Sequence, residues 1–230
     1  MRKLIYTLFL IVCGTASVMA QCNEYYQFGE GNEWEFESYN AKGKLTGKNH
    51  QKVTSFEKTS NGFVAAVKST FYDDKKKETM TGDLEFKCEG GTMYIDMRNF
   101  ISDEQLKAFG TQELAVDSEN LEIPSNLSVG QSLKDGSVKV TASGSGIPMA
   151  ITVNITNRKV VGKESITTPA GTYDCFKITS DIATVTQMGI KMNVNISSIE
   201  WITPKLGVVK SESYNKNDKL MGYTLLSSWK

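Results

Sequence analysis

The fold is decided by the stretch IPMAITVNI at residues 147–155, in which every odd position carries an apolar side chain. Thr152 and Asn154 stand between these apolar residues, so one face of the segment is polar. Successive side chains of a β-strand point to opposite faces. The stretch therefore predicts a half-buried strand with its apolar side on a core.

The same alternation recurs through the rest of the chain. It is clear at residues 33–37, 83–88 and 93–97. Turn-forming pairs separate the alternating runs, among them Asn61-Gly62, Gly90-Gly91, Asp135-Gly136, Ala170-Gly171 and Asn217-Asp218. Such spacing is typical of antiparallel hairpins, and it predicts an all-β protein.

A change of phase indicates how the sheet bends. Apolar residues occupy even positions from Ile190 to Ile196 but odd positions at Ile199 and Trp201. Keeping both sets on one core face would require a β-bulge near Ser197-Ser198. Long bulged strands are typical of curved sheets. We therefore expect a strongly curved antiparallel sheet that forms an open barrel or a barrel-like sandwich.

One short segment predicts a helix. Ser102 is suited to be an N-cap, Gln105 completes a capping box, and Gly110 is suited to end the helix. The expected helix covers about residues 103–109. It would be a plug or connector between N-terminal hairpins (21–100) and C-terminal strands (111–230).

The N-terminus has the pattern of a cleavable secretory signal. Arg2 and Lys3 precede an apolar run from Leu4 to Val12, and Val18-Met19-Ala20 fits the small-x-small cleavage pattern. The run is shorter than the roughly 20 residues that a membrane-spanning helix needs. We therefore expect residues 1–20 to be removed, leaving residues 21–230 as a single exported, soluble all-β domain.

A lipid anchor is the alternative for this N-terminus. Cys13 and Cys22 are the candidate attachment sites, but Val12 and Gln21 precede them where lipid attachment normally requires a small residue. Cleavage without lipidation is the favoured interpretation.

The charge balance limits the partners. The chain has 26 basic and 26 acidic residues, and the signal contains two of the basic ones, so the mature charge is 24 − 26 = −2. This balance argues against nucleic acid or an anionic membrane surface as a partner.

Three cysteines remain after the signal, at positions 22, 88 and 175. Export permits one disulfide, with three candidate pairings and one thiol left over. A pair between Cys22 and Cys88 would fasten the new N-terminus to a strand. The alternative is that all three are small buried hydrophobic residues.

No residue pattern points to catalysis. His50 is the only histidine, it lies in a polar stretch without a nearby acidic residue, and no nucleophile, phosphate, dinucleotide or metal motif occurs. Paired carboxylates at Asp73-Asp74, Asp103-Glu104 and Glu33/Glu35/Glu37 are explained as a turn, a helix start and an outer strand face. We predict no catalytic, metal-binding or cofactor-binding residue, no cofactor and no enzyme activity.

Methionines and aliphatic residues suggest an apolar pocket. Methionine fills irregular gaps in cores and also lines adaptable apolar pockets. If a concave face of the sheet is open, we expect it to bind a lipid-like or other apolar ligand through Met149, Ile151, Met188, Met192, Val194 and Trp201. Simple core filling is the alternative.

A repeat links the first and last predicted hairpins. ESYN at residues 37–40 with KLTG at 44–47 recurs as ESYN at 212–215 with KLMG at 219–222. The repeat is explained either by two copies of one favourable hairpin or by a duplicated binding edge.

The segment TTPAGTYDCFKI at residues 167–178 carries a family resemblance. Further elements are IEWI at 199–202, GVVK at 207–210 and the strand that starts with Lys219-Leu220 and reaches Gly222-Tyr223. Together they resemble the TapB-like secreted proteins, which are related to a broad bacterial family of periplasmic domains of unknown function. The resemblance implies a Gram-negative envelope protein with a barrel-like antiparallel sheet, and it supplies no catalytic residues.

Three hypotheses for function follow. The first is an exported envelope protein, periplasmic, associated with the outer membrane or secreted, that binds an apolar small molecule, a lipid or an envelope component without catalysis. The second is a protein–protein interaction or scaffold module. The third is a hydrolase without a recognisable active site.

Overall fold

Thirteen strands and two short helical segments make up the part of the chain that the structure, a computed structural model, describes: residues 25–26, 28–143 and 149–230. In chain order they are β1 (Glu33–Asn40), β2 (Leu45–Thr59), β3 (Gly62–Asp73), β4 (Glu78–Glu89), β5 (Thr92–Ile95), a 3-10 helix (Met97–Phe100), α1 (Asp103–Lys107), β6 (Glu113–Glu119), β7 (Leu121–Pro124), β8 (Gly136–Ser143), β9 (Met149–Thr168), β10 (Gly171–Met188), β11 (Ile190–Thr203), β12 (Gly207–Asn215) and β13 (Leu220–Trp229). The predicted signal at residues 1–20, Cys22 and Ile147 lie outside the described residues.

All thirteen strands belong to one sheet in the order β6-β8-β9-β10-β11-β12-β13-β1-β2-β3-β4-β5-β7. Every neighbouring pair is antiparallel. The two edge strands, β6 and β7, follow each other in the chain with only Asn120 between them. The sheet therefore curls into a nearly closed barrel, which confirms the predicted all-β, strongly curved antiparallel fold.

The predicted bulge at Ser197-Ser198 is wrong. β10 and β11 pair without interruption along residues 176–188 and 190–202, and the register of β11 shifts only against β12, at Trp201/Ile202. Met192 and Trp201 therefore lie on opposite faces of β11. Trp201 is nevertheless buried, because Lys210 and Lys177 lie over its ring at 4.3 and 5.2 Å.

Two apolar cores fill the fold. The larger one contains Trp34, Val67, Phe176 and Val209 among many others. The smaller one lies beneath the helical segment, where Met97 and Phe109 pack against the apolar face of β8 and β9. This second core holds the helical segment in place.

The predicted helix is confirmed, with its capping box. The Ser102 hydroxyl accepts from the Gln105 backbone N–H at 3.2 Å, and Gln105 Oε1 accepts from the Ser102 N–H at 2.8 Å. Regular α-helix ends at Lys107, two residues earlier than expected, because the next N–H groups bond three residues back: Phe109 to Leu106 and Gly110 to Lys107. Gly110 has a φ of +68°, as expected of the residue that ends a helix.

Candidate functional site

A cavity of about 760 Å³ lies inside the barrel. Its volume falls within the range of roughly 300–1,000 Å³ that is usual for small-molecule sites. The strands β1–β4 and β11–β13 contribute to its wall, and the helical segment lies along one side. About half of the lining residues are aromatic or aliphatic, among them Phe28, Trp34, Phe36, Phe71, Met80, Leu84, Phe86, Ile95, Leu206 and Val208.

A polar stripe runs next to these apolar side chains. Ser211, Thr224 and Ser38 are cross-strand neighbours on β12, β13 and β1, and the hydroxyls of Ser38 and Thr224 lie 3.3 Å apart. On β2, the buried Asn49 side chain donates to the Ser69 hydroxyl at 2.8 Å. The pairs Ser38–Thr224 and Asn49–Ser69 are each hydrogen-bonded, so the stripe is a prearranged polar surface beside an apolar one.

Trp34, one of the lining residues, has an unused hydrogen-bond donor. The residue is 6% exposed, lines the cavity, and packs edge-on against Phe28 with ring centroids 5.6 Å apart. Its indole Nε1–H has no hydrogen-bond partner among the described residues. A buried donor without an acceptor costs about 1–3 kcal/mol.

Glu200 is an acidic group within the same cavity. It lies on β11, and burial raises the pKa of its carboxyl, an effect that the charge of Arg158 partly offsets. Arg158 does not share a hydrogen bond with it, since its guanidinium donates to the backbone oxygens of Glu122 and Lys134 at 3.1 and 2.6 Å. Burial and the nearby Glu200 charge also raise the pKa of Tyr26, another lining residue.

The sequence alone does not assign Trp34 or Glu200 to a binding site. Trp34 was identified only as part of an alternating strand. Glu200 stands at an even position of β11, in phase with Met192 and Ile196. The available signal was a charged residue in phase with a run of four apolar residues from Ile190 to Ile196.

The 3-10 helix and the start of α1 form a cover on one side of the cavity. Phe100, Ile101 and Leu106 supply its apolar lining. Asp96 caps the 3-10 helix by accepting from the backbone N–H of Arg98 at 2.8 Å, and it also pairs with the Arg98 guanidinium. The cover is therefore fixed by local caps and by the second core.

The cavity reaches the surface beside exposed apolar side chains. Phe71 and Met80, which are paired across β3 and β4, are both exposed and both line the cavity, as does Phe100 on the cover. An opening bordered by exposed aromatic and methionine side chains suits an apolar ligand.

The six residues of the predicted apolar pocket do not line this cavity. Five of them share one sheet face, because Met149 and Ile151 on β9 pair through β10 with Met188 and with the row of Met192 and Val194 on β11. Ile151 is fully buried in the second core, Met149 and Met188 pack against that core, and Met192 and Val194 are exposed. Trp201 belongs to the first core on the other face of β11.

The two cysteines that the structure describes differ in whether they form a disulfide. Cys88 is disulfide-bonded, and Cys175 is a buried free thiol. Cys22 lies outside the described residues, so its pairing with Cys88 stays a prediction.

The other candidate groups have structural partners. His50 does have an acidic neighbour, contrary to the sequence analysis, because Glu33 lies across the sheet with its Oε2 3.2 Å from the imidazole Nε2. Glu33 is also bonded to Lys230 and Lys52, which lower its pKa to about 2 together with His50. Asp73 accepts two backbone N–H bonds in its turn.

Within the residues that the structure describes, no cluster of three or more His, Cys, Asp or Glu side chains could hold a metal ion. In the same ranges no helix has the length and apolar character needed to cross a membrane.

Comparisons with known proteins agree with this architecture. The DUF3108-like family model matches residues 29–226. A predicted exported protein with a YmcC-like fold from Bacteroides fragilis is 22% identical, with a TM-score of 0.71, and the match covers 91% of this chain and 100% of the other. A predicted lipoprotein from Parabacteroides distasonis is 25% identical, with a TM-score of 0.73 and coverage of 91% and 99%. No curated protein matches the chain in sequence.

Proposed function

The chain belongs to the DUF3108-like family, and from this premise we propose that it is an exported cell-envelope protein that binds an apolar or lipid-like small molecule in the cavity of its barrel. In this proposal the protein binds its ligand without catalysing a reaction. Within the family we place it near the TapB-like secreted proteins, on the residues 167–178 that form the end of β9, its turn and the start of β10.

Two observations support export. Residues 1–20 have the pattern of a secretory signal. The structures from Bacteroides fragilis and Parabacteroides distasonis that share this fold are described as a predicted exported protein and a predicted lipoprotein. The proposal covers a location outside the cytoplasm, in the periplasm, at the outer membrane or beyond it.

The observation that carries the binding proposal is a cavity large enough for a small molecule, whose wall includes Trp34 with an indole N–H that has no partner among the described residues. Native proteins rarely leave a buried donor unsatisfied. An apolar ligand with a hydroxyl, ester or carboxyl oxygen would fill the aromatic part of the cavity and accept from Trp34. The polar stripe around Asn49 and Ser69 offers further hydrogen bonds to the same end of such a ligand.

Gly82 allows the cavity to be filled without disturbing the sheet. It lies on β4 among the lining residues, and a Cβ at this position would meet no atom within 4 Å. Gly82→Leu therefore introduces an apolar side chain into the cavity. Gly162→Leu on β9 is the matched control, because Gly162 has equal free space but does not line the cavity.

The first experiment is organic extraction of protein purified from its own host, followed by mass spectrometry. The second is titration with the fluorescent fatty acid cis-parinaric acid. We expect wild type and Gly162→Leu to bind the probe, and Gly82→Leu to weaken binding by about tenfold or more. Trp34→Phe, which keeps an aromatic ring and removes the N–H, should weaken binding by about fivefold, as for one lost hydrogen bond.

If Gly82→Leu folds and binds the probe as tightly as wild type does, the cavity is not the binding site. A wild-type protein that carries no extractable ligand and binds no probe would favour the alternative of a scaffold or protein–protein interaction module.

A further inference from the structure

Three hairpin turns at one end of the barrel have the same structure. They are residues 40–44, 73–77 and 215–219, which join β1 to β2, β3 to β4 and β12 to β13. In each, the first residue (Asn40, Asp73 or Asn215) accepts through Oδ1 from the backbone N–H groups of the third and fifth residues, at 2.9–3.2 Å. The fourth residue of each turn has a positive φ. Because β13 pairs with β1 and β2 pairs with β3, the turns stand side by side.

These three turns, which we call the basic rim, concentrate positive charge. They contain seven exposed lysines, at positions 42, 44, 75, 76, 77, 216 and 219, and three aspartates, at 73, 74 and 218, so their charge is 7 − 3 = +4. In the flanking strands Glu37 and Glu212 are paired with Lys48 and Lys210, and Glu78 lowers the local excess to 4 − 1 = +3. The whole chain has a formal charge of zero. The basic rim is therefore a local excess that the composition does not reveal.

An exposed apolar row extends past the same end of the barrel. β11 pairs with β12 only from Ile196 onward, so residues 190–195 project beyond the turn at 215–219 with β10 as their partner. Ile190, Met192 and Val194 in this projecting segment are 79%, 60% and 56% exposed.

The apolar row continues a face that is buried elsewhere. Thr186 of β10 pairs on one side with Met192 and on the other with Ile151, which is fully buried in the second core. Cross-strand partners point to the same side of a sheet. The even-numbered residues of β11 therefore share the face that points into the barrel. They run from the exposed Ile190 to Glu200 in the cavity wall. Phe71 and Met80 add exposed apolar surface next to the turn at 73–77.

We propose that the basic rim and the projecting tip of β11 dock on the surface of an anionic lipid bilayer. The lysines match the negative headgroups, and each lysine near such a surface strengthens binding appreciably. The apolar side chains of the tip would enter the boundary between headgroups and acyl chains. Charge complementarity decides the occupant, because an apolar protein partner would not require seven lysines around the contact.

The docking proposal stands independently of ligand binding in the cavity. If both hold, the exposed apolar residues at the opening of the cavity face the bilayer, so that an apolar ligand reaches the cavity without crossing water. A protein that docks on vesicles but retains no ligand would support the docking proposal alone. A protein that retains a ligand but does not dock would support the binding proposal alone.

Vesicle sedimentation with the mature chain tests the proposal. The probes are vesicles of phosphatidylglycerol mixed with phosphatidylcholine, and vesicles of phosphatidylcholine alone. We expect binding to the anionic vesicles only, with an affinity that falls as salt is raised. The double variant Lys75→Glu/Lys77→Glu should lower the partition coefficient by about tenfold or more. These two positions keep negative φ, so the turn itself is preserved.

Lys58→Glu/Lys205→Glu is the matched control. It makes the same change of charge at two exposed positions at the other end of the barrel, one near the end of β2 and one within the turn between β11 and β12, and it should bind as wild type does. Ile190→Ser/Met192→Ser tests the apolar tip, with the exposed Val129→Ser as its control. We expect the tip variant to lose most of the binding that persists at high salt.

Circular dichroism and thermal unfolding establish that each variant is folded. Equal binding to both vesicle types, no binding to either, or an equal loss in the Lys58/Lys205 control would overturn the proposal. It would also be overturned if the rim and tip variants left vesicle binding unchanged and altered sedimentation of the protein alone, since the surface would then be a contact between two copies.

Discussion

Gly47 and Gly222 occupy equivalent places in the two copies of the repeated hairpin, and each faces a backbone carbonyl of the neighbouring strand. A Cβ at Gly47 would lie 2.5 Å from the oxygen of Tyr72, and a Cβ at Gly222 would lie 2.6 Å from the oxygen of Tyr39. In both copies the register of the hairpin also shifts next to the partner of the glycine, at Ser38/Tyr39 and at Ser213/Tyr214. The repeat in the sequence is thus explained by one favourable hairpin used twice.

Gly47→Ala and Gly222→Ala should each destabilise the protein by about 1–3 kcal/mol, because the new methyl group must displace a strand rather than a flexible side chain. Urea unfolding followed by tryptophan fluorescence measures the change. Gly82→Ala is the control, since a Cβ there meets nothing within 4 Å. It should be neutral or stabilise by up to about 1 kcal/mol. Equal stability of all three variants would show that the two strands move apart at little cost.

Features set by neighbouring residues could be predicted from the sequence. The helix after Ser102 was predicted because a capping box depends on residues three positions apart, and both of its bonds form. The alternation in residues 149–155 was predicted because a strand alternates regardless of its neighbours, and Ile151, Val153 and Ile155 are buried.

Features that depend on distant strands were missed. The alternation of apolar and polar residues predicts the two faces of a strand, but it does not predict which parts of a face other elements cover. Ile151 and Met192 were therefore assigned to one pocket, although Ile151 is buried and Met192 is exposed. The bulge was predicted because Trp201 was expected to share the face of Met192. Lysines that cover the Trp201 ring, and the bond from its Nε1 to Glu164 at 2.7 Å, bury it on the other face.

The cavity could not be predicted either, since strands far apart in sequence build it. Trp34 on β1, Leu84 on β4 and Glu200 on β11 meet only after the sheet has closed. The similarity of the turn at residues 73–77 to the other two turns of the basic rim was also not recognised. This turn has aspartate where they have asparagine, and its flanking strands share no motif with theirs.

The Cys175 thiol should be unreactive in the folded protein. Burial, together with the nearby charges of Asp174 and Glu164, raises its pKa to about 11. At about pH 8 only on the order of one thiol in a thousand is then ionised, and the thiolate is the species that reacts. We expect iodoacetamide to leave Cys175 unmodified in buffer and to label it in denaturant, as measured by mass spectrometry of its tryptic peptide. Rapid labelling of the native protein would contradict the packing around β10.

Glu200 should make the stability of the protein depend on pH in a defined direction. Burial is the larger influence on its carboxyl and raises its pKa, while Arg158 opposes the shift. Tyr26 is the other titratable group that interacts with it. Below the pKa of about 4.3 for an unfolded glutamate, both the folded and unfolded states are protonated, and Glu200 adds no pH dependence. As pH rises, the unfolded state ionises first, so stability falls until the folded state ionises too.

Glu200→Gln removes this dependence while keeping the size of the side chain. The variant and wild type should have similar melting temperatures near about pH 4, and the variant should become the more stable as pH rises toward about 8. Differential scanning calorimetry at several pH values measures the difference, in which contributions from all other groups cancel. Glu57→Gln, at an exposed position on β2, controls for the loss of one negative charge and should give a difference that changes little with pH. If the advantage of Glu200→Gln instead shrinks as pH rises, the carboxylate is stabilised in the cavity, and a cationic rather than a neutral ligand group would be expected beside it.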